Sequence, residues 1–175
     1  MQPYAPFSGV LLLPDRAVFG KVSEVTLGTG EPVAAIRWHP WTARARFDIL
    51  DASGVDVAQG GREGMFGRRY AVHGRDGQAL LALKFSLWGL PGRGEVTLPS
   101  GRVLTVRGKL WNRTYSVVDG GGLEVARIVS TGRTFSFRPD SFAFELRSPV
   151  FSLVQAVGLA QCLRAAVEAQ RQASA

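Results

Sequence analysis

The sequence contains a single cysteine, Cys162, so an intramolecular disulfide bond is excluded and a reducing compartment suits the chain. No apolar run reaches the length of about 18 residues that a membrane-spanning helix needs. The apolar segment Val10–Leu13 is too short for the hydrophobic part of a signal peptide, and no basic residue precedes it. We therefore expect a cytoplasmic protein without a transmembrane segment.

Residues typical of catalytic and metal sites are also scarce. The two histidines, His39 and His73, have no acidic residue or cysteine at ligand spacing in the sequence. Nothing near Cys162 along the chain would lower the pKa of its thiol. Asp51 and Asp119 stand where turns require them, which explains both without acid–base chemistry. We therefore predict no enzyme activity, no catalytic residue, no metal site and no cofactor.

Lysine is rare as well, since only three of the 21 basic residues are lysines, yet the formal net charge is +7. An excess of positive charge favours an anionic partner, either a membrane surface or a nucleic acid. The arginines are spread along the whole chain, however, and biased codon usage also produces an arginine-rich composition. Composition alone leaves both interpretations open.

What the sequence does contain is a repeated hairpin pattern. Three segments, which begin at Phe47, Tyr70 and Tyr115, have the same residue types at the same spacing. The order is an aromatic residue, a β-branched residue, an Asp or Gly, a glycine and an apolar residue. The alternation places the first two side chains on one face of a strand. The glycine supplies the positive φ of a tight hairpin turn. A looser fourth copy runs from Val96 to Leu104.

Further alternating stretches bring the total to about a dozen strands, a number at which a sheet tends to close or to split into two layers. The strands are expected to end at about residue 147. Ser148 is then a candidate N-cap and Pro149 suits the first helical position, so we predict a helix over about 149–171. Its first half, Val150–Leu163, is apolar on nearly every side and must be enclosed. A polar stripe follows in the second half: Gln161, Arg164 and Glu168.

Hairpin repeats followed by an enclosed terminal helix resemble the tubby C-terminal-like superfamily. The LURP-one-related family looks most similar, and the phospholipid scramblases look more distantly similar. The segments that carry the resemblance are Tyr70–Leu83, Tyr115–Ile128 and Phe142–Leu163. The resemblance implies one domain over residues 1–175, a closed antiparallel barrel of about twelve strands around a hydrophobic C-terminal helix.

The families that the chain resembles differ in function. Tubby-type domains bind phosphoinositide headgroups through basic side chains on the barrel surface. Scramblases carry palmitoylated and calcium-binding segments, but this sequence has neither a cysteine-rich stretch nor an acidic loop of the calcium-binding type. Lipid scrambling is therefore disfavoured.

Strand parity selects four basic residues as candidate ligand-binding side chains. Arg69 and Lys84 alternate with apolar neighbours and so point outward, and Arg107 and Lys109 share one outward face. On neighbouring strands these cations would form one surface that donates charge-assisted hydrogen bonds to phosphate groups. The other interpretation is that they are ordinary solubilising charges.

From the sequence, we prefer a non-enzymatic binding module that recognises anionic phospholipid headgroups through an outer basic face. Such a protein would be peripheral at the membrane. The alternative is a scaffold or protein-interaction barrel without a lipid role, and nucleic-acid binding, which rests on charge alone, ranks below both. Convergence of the four basic residues would favour lipid binding, whereas dispersed charge and an exposed apolar patch would favour a scaffold.

Overall fold

The computed structural model describes residues 2–14, 22–39, 45–64, 68–85, 93–109, 114–131 and 141–174. Within these ranges the chain forms twelve antiparallel strands, closed into a barrel, and one helix. The strands are β1 (Pro6–Leu13), β2 (Val22–Leu27), β3 (Pro32–Trp38), β4 (Arg46–Asp51), β5 (Asp56–Glu63), β6 (Arg69–Gly74), β7 (Ala79–Phe85), β8 (Arg93–Thr97), β9 (Val103–Lys109), β10 (Thr114–Val118), β11 (Glu124–Ser130) and β12 (Phe142–Ser152). The helix is α1 (Leu153–Ser174). Strands that follow one another in the chain are neighbours, and β12 closes the barrel against β1, which confirms the predicted fold class.

The helix lies in the core of the barrel. Inward side chains of all twelve strands and the apolar side chains of α1 belong to one hydrophobic cluster. Val157, Leu159 and Ala160 point in different directions around the helix, yet each is fully buried. The all-round apolar character of this half of the helix is therefore explained by enclosure, because a helix exposed on one side would carry a polar face there.

Five hairpins at one end of the barrel, called here the hairpin end, use the same turn. In each, a glycine with φ between 79° and 92° donates its N–H to the carbonyl three residues earlier. The turns are Leu27–Glu31, Asp51–Val55, Gly74–Gln78, Leu98–Arg102 and Asp119–Leu123. The last four are the predicted repeats. The first was missed because Ser23 stands where the clearest copies have an aromatic residue.

The predicted start of the helix is wrong by about four residues. Strand β12 continues through Ser148 and Pro149, and its last residues, Phe151 and Ser152, pair with β1. Ser152 is the actual N-cap: its hydroxyl accepts the N–H of Gln155 at 3.2 Å, and the Gln155 side chain accepts the N–H of Ser152 at 2.8 Å. Such a reciprocal capping box satisfies two backbone donors. Pairing with β1 therefore outweighed the local cap signal at Ser148.

Part of the polar stripe on α1 is buried. Gln161 is fully buried and Arg164 is 4% exposed. The Arg164 guanidinium donates to the carbonyl oxygen of Pro14 at 2.9 Å and to Oε1 of Gln161 at 3.3 Å, and it lies 4.8 Å from the centre of the Phe142 ring. The helix thus remains enclosed beyond its apolar half. Over the described residues, no helix is both long and apolar enough to cross a membrane.

Candidate functional site

The structure places two of the predicted basic residues side by side. Arg69 on β6 and Lys84 on β7 are directly opposite in the strand register, and both side chains are exposed. Arg107 is exposed on β9, two strands beyond Lys84. Lys109 belongs to β9 opposite Thr114, but its side chain lies outside the described part of the structure. Three of the four predicted residues therefore share the outer face of β6–β9.

One further cation on this face was missed by sequence reasoning. Arg93 begins β8 with an exposed side chain and lies directly opposite Arg107. The parity of Val96, which is buried, already implied that Arg93 points outward, but β8 is too short to stand out as a strand. Arg68 immediately precedes β6 and is exposed, but it has the parity of the inward-facing Tyr70 and so does not belong to this outer face. We call the four cations of the outer face the basic patch: Arg69, Lys84, Arg93 and Arg107.

The basic patch contains two like-charged cross-strand pairs, Arg69 with Lys84 and Arg93 with Arg107. Side chains directly opposite on antiparallel strands have Cβ atoms about 5 Å apart, and like charges at that distance destabilise the sheet. Among the described residues, no side-chain salt bridge or hydrogen bond neutralises any of the four cations. Two carboxylates also lie in this region, Glu63 opposite Arg69 and Glu95 opposite Lys84. Four cations against two carboxylates leave this surface with a net positive charge.

Arg127 and Arg147, elsewhere on the outer surface, share a carboxylate partner. Glu124 on β11 accepts from Arg127 at 3.0 Å and lies 2.8 Å from a guanidinium nitrogen of Arg147. The Ser116 hydroxyl donates to the same carboxylate at 2.6 Å. Burial opposes ionisation of Glu124, but the hydrogen bonds from Arg127 and Ser116 outweigh it and hold the pKa of Glu124 below its usual value. The basic patch differs from this network because its cations have no comparable partners within the described residues.

The arrangement suits a ligand that presents several anionic oxygens along a surface. Neighbouring strands are about 4.8 Å apart, so the four strands β6–β9 spread the donors over about 14 Å. Guanidinium and ammonium groups donate charge-assisted hydrogen bonds to phosphate oxygens, and these bonds are about twice as strong as neutral ones. The outer surface of a sheet therefore offers a set of phosphate contacts here.

Two concave regions lie away from the basic patch. A groove of about 620 Å³ opens between β1, β2 and β12 and includes Leu12, Leu13 and Phe142 in its lining. A smaller depression of about 210 Å³ lies on β4 and β5 and is lined by Asp48, Asp56, Ala58, Gln59 and Arg75. Over the described residues, no three His, Cys, Asp or Glu side chains are grouped closely enough to hold a metal ion.

The chemically reactive side chains are accounted for by local contacts. Cys162 is fully buried, and desolvation by burial raises the pKa of its thiol far above the usual range. Each histidine has a carboxylate partner that sequence spacing did not show, because the partner comes from a neighbouring strand. His39 Nε2 lies 2.7 Å from Asp48, and His73 Nε2 lies 3.3 Å from Glu63.

Comparison with known proteins relates the chain to a solved structure through its fold. No family model matches the sequence, and no curated protein matches it either. The chain is similar to an X-ray structure of a protein from Arabidopsis thaliana, AT5G01750, with a TM-score of 0.59 and 16% sequence identity. The match covers 97% of this chain and 94% of that chain. At this identity, the likeness shows a shared fold over the matched parts of the two chains.

Proposed function

We propose that this protein is a non-enzymatic binding module that recognises anionic phospholipid headgroups at the basic patch. It is a cytoplasmic protein, peripheral at the membrane, and a barrel of the tubby C-terminal-like superfamily nearest to the LURP-one-related family. The observation that carries the proposal is the register of β6–β9, which places Arg69 directly opposite Lys84 and Arg93 directly opposite Arg107. The fold shared with the Arabidopsis protein supports the superfamily assignment.

The like-charged pairs are informative because they work against the fold. Like charges directly opposite on neighbouring strands destabilise a sheet. Glu63 and Glu95 flank the first pair, but the strand partners of Arg107 are Arg93 and Ser116, so no carboxylate lies directly opposite Arg107. An anionic ligand removes the repulsion and uses the same donors for binding. Headgroups in a membrane supply such anions side by side, and each cation near the surface contributes about 1 kcal/mol.

Nucleic-acid binding fits the described surface less well. Single strands bind by stacking bases on exposed aromatic side chains beside a basic groove. Tyr4 is 51% exposed, but its hydroxyl donates to the Val57 carbonyl at 2.6 Å near the hairpin end. Phe85 lies near the basic patch, but it is half-buried against the Tyr70 ring, with centroids 6.3 Å apart. No stacking surface accompanies the cations among the residues that are described.

A scaffold is the second candidate function, and exposed apolar side chains favour it. Leu12 on β1 and Val129 on β11 flank Ala143 of β12 in one row across the outer surface, and Val10 lies beside them. The three large side chains, Val10, Leu12 and Val129, are 37–39% exposed. These strands lie nearly opposite β6–β9 in the barrel order. A protein partner on that side would leave the basic patch accessible.

Vesicle co-sedimentation tests the lipid-binding proposal. Wild-type protein is mixed with phosphatidylglycerol or phosphatidylcholine vesicles at about 0.05 M and about 0.3 M salt, which changes the screening length about twofold. We expect binding to the anionic vesicles alone, and weaker binding at high salt. If circular dichroism shows folded protein and it binds none of the vesicles, the lipid-binding proposal is refuted and the scaffold function is favoured.

Matched double substitutions separate the basic patch from net charge. Arg69→Ala/Lys84→Ala and Arg93→Ala/Arg107→Ala each remove two charges from the basic patch. Arg75→Ala/Arg102→Ala removes the same charge from exposed positions at the hairpin end. We expect each patch variant to bind roughly thirtyfold more weakly, from about 1 kcal/mol per cation, and the control to stay near wild type. Equal losses in all three variants would mean that net charge, not this surface, attracts the vesicle.

A further inference from the structure

Glu63 lies at the border of the basic patch and contacts a histidine. In the register of β5 and β6, Glu63 is directly opposite Arg69. Its Oε1 nevertheless lies 3.3 Å from Nε2 of His73, four residues further along β6. The contact passes over Ala71, a buried residue that lies between Arg69 and His73 on β6. Both side chains remain accessible, at 50% exposure for Glu63 and 36% for His73.

The strength of the contact depends on the charge of the imidazole. The Glu63–His73 contact is a salt bridge only when His73 is protonated. Histidine is the side chain that ordinarily changes charge between about pH 5 and 8. When the imidazole becomes neutral, the ionic attraction on Glu63 ends, and the cation directly opposite Glu63 is Arg69. The carboxylate can then neutralise a donor of the basic patch.

Glu63 is the carboxylate that contacts His73, and the polar groups on the neighbouring strands have other partners. Gln59, directly opposite His73 on β5, accepts a hydrogen bond from Arg46 at 2.6 Å. Asp48, one strand further away, contacts the other histidine, His39, at 2.7 Å. The neighbours that face His73 are Glu63 and Gln59 on β5, Arg46 and Asp48 on β4, Ala79 on β7, and Arg75 in the turn after β6.

We propose that protonation of His73 strengthens the binding of anionic headgroups at the basic patch by holding Glu63 away from Arg69. This inference rests on the proposed function of the patch. With His73 protonated, the imidazolium retains the Glu63 carboxylate, and the Arg69 guanidinium is available to a phosphate. With His73 neutral, Glu63 competes with the phosphate for Arg69, and the surface carries one positive charge fewer.

Vesicles of phosphatidylglycerol in phosphatidylcholine test the proposal, because the phosphodiester keeps its charge over the pH range used. Dissociation constants are measured at about pH 5.5 and about pH 7.5, within the range where histidine side chains in general change charge. We expect wild-type protein to bind about fivefold more tightly at the lower pH, the equivalent of about one charge at the surface. His73→Gln should bind weakly at both pH values. Glu63→Gln should bind tightly at both, because the competing carboxylate is gone.

His39→Gln is the matched control. His39 also pairs with a carboxylate on the outer surface, but its partner, Asp48, does not lie opposite a cation of the basic patch. This variant should keep the wild-type pH dependence. The proposal is overturned if His73→Gln or Glu63→Gln retains that dependence, or if His39→Gln loses it. Failure of wild-type protein to bind phosphatidylglycerol at either pH would instead refute the proposed function itself.

Discussion

Gly158 allows α1 to lie against β6, and replacing it tests how tightly the barrel encloses its helix. A Cβ atom added at this glycine would lie 2.7 Å from Cγ2 and 3.2 Å from Cγ1 of Val72. Real Cβ atoms do not approach other atoms as closely as the shorter distance. Val72 is fully buried, and its strand is held between β5 and β7 by hydrogen-bonded ladders. Neither the helix nor the strand can move away without disturbing other core contacts.

Two opposing effects determine the result for Gly158→Ala. Alanine favours a helix interior over glycine by about 1 kcal/mol. Overpacking of a filled core costs about 1–3 kcal/mol. Because the short contact is to a side chain held on the barrel wall, we expect overpacking to dominate and the free energy of unfolding to fall by about 1 kcal/mol. For a domain of this size, such a loss lowers the melting temperature by about 2–4 °C.

Urea unfolding of Gly158→Ala and of two comparison variants measures this balance. Gly120→Ala is the control, because its added Cβ meets nothing within 4 Å, and it should change stability by less than about 0.5 kcal/mol. The double variant Val72→Ala/Gly158→Ala should lose less stability than the sum of the single losses, with a coupling of about 0.5–3 kcal/mol. A higher unfolding midpoint for Gly158→Ala would refute the argument, since helix propensity would then outweigh the contact with Val72.

Two other predictions concern titrating groups. Because burial raises the pKa of the Cys162 thiol, the native protein should react with a thiol reagent only as fast as it unfolds, and urea should make labelling rapid; fast labelling without urea would contradict this burial. Glu124 has a lowered pKa in the folded state, so it contributes stability that is full above the usual glutamate value of about 4.3 and is lost as pH falls through the folded pKa. The urea midpoint of Glu124→Gln should therefore fall less than that of wild type below about pH 4.3, and parallel pH profiles would refute this assignment.

The basic patch could be predicted from the sequence only in part. Parity along a strand was enough to predict that Arg69, Lys84 and Arg107 point outward. It did not show that Lys84 lies opposite Arg69, or that Arg93 lies opposite Arg107, because pairing depends on strand register. The carboxylate partners of the two histidines also come from other strands. Contacts between strands depend on residues distant in the chain, so spacing in the sequence does not contain them.

The fold was also predictable from the sequence only in part. Alternation, the glycine of each hairpin and the apolar helix are local properties, and by themselves they determined a strand-rich chain with an enclosed helix, whereas closure into a barrel was expected from the family resemblance. Only the tertiary structure decided that β12 extends to Ser152, because residues of β1 at the other end of the sequence pair with it. The burial of Gln161 and Arg164 likewise depends on Pro14 and Phe142, which supply their surroundings once the barrel has closed. Local periodicity specifies which face of an element is apolar, whereas barrel closure decides how far that element remains covered.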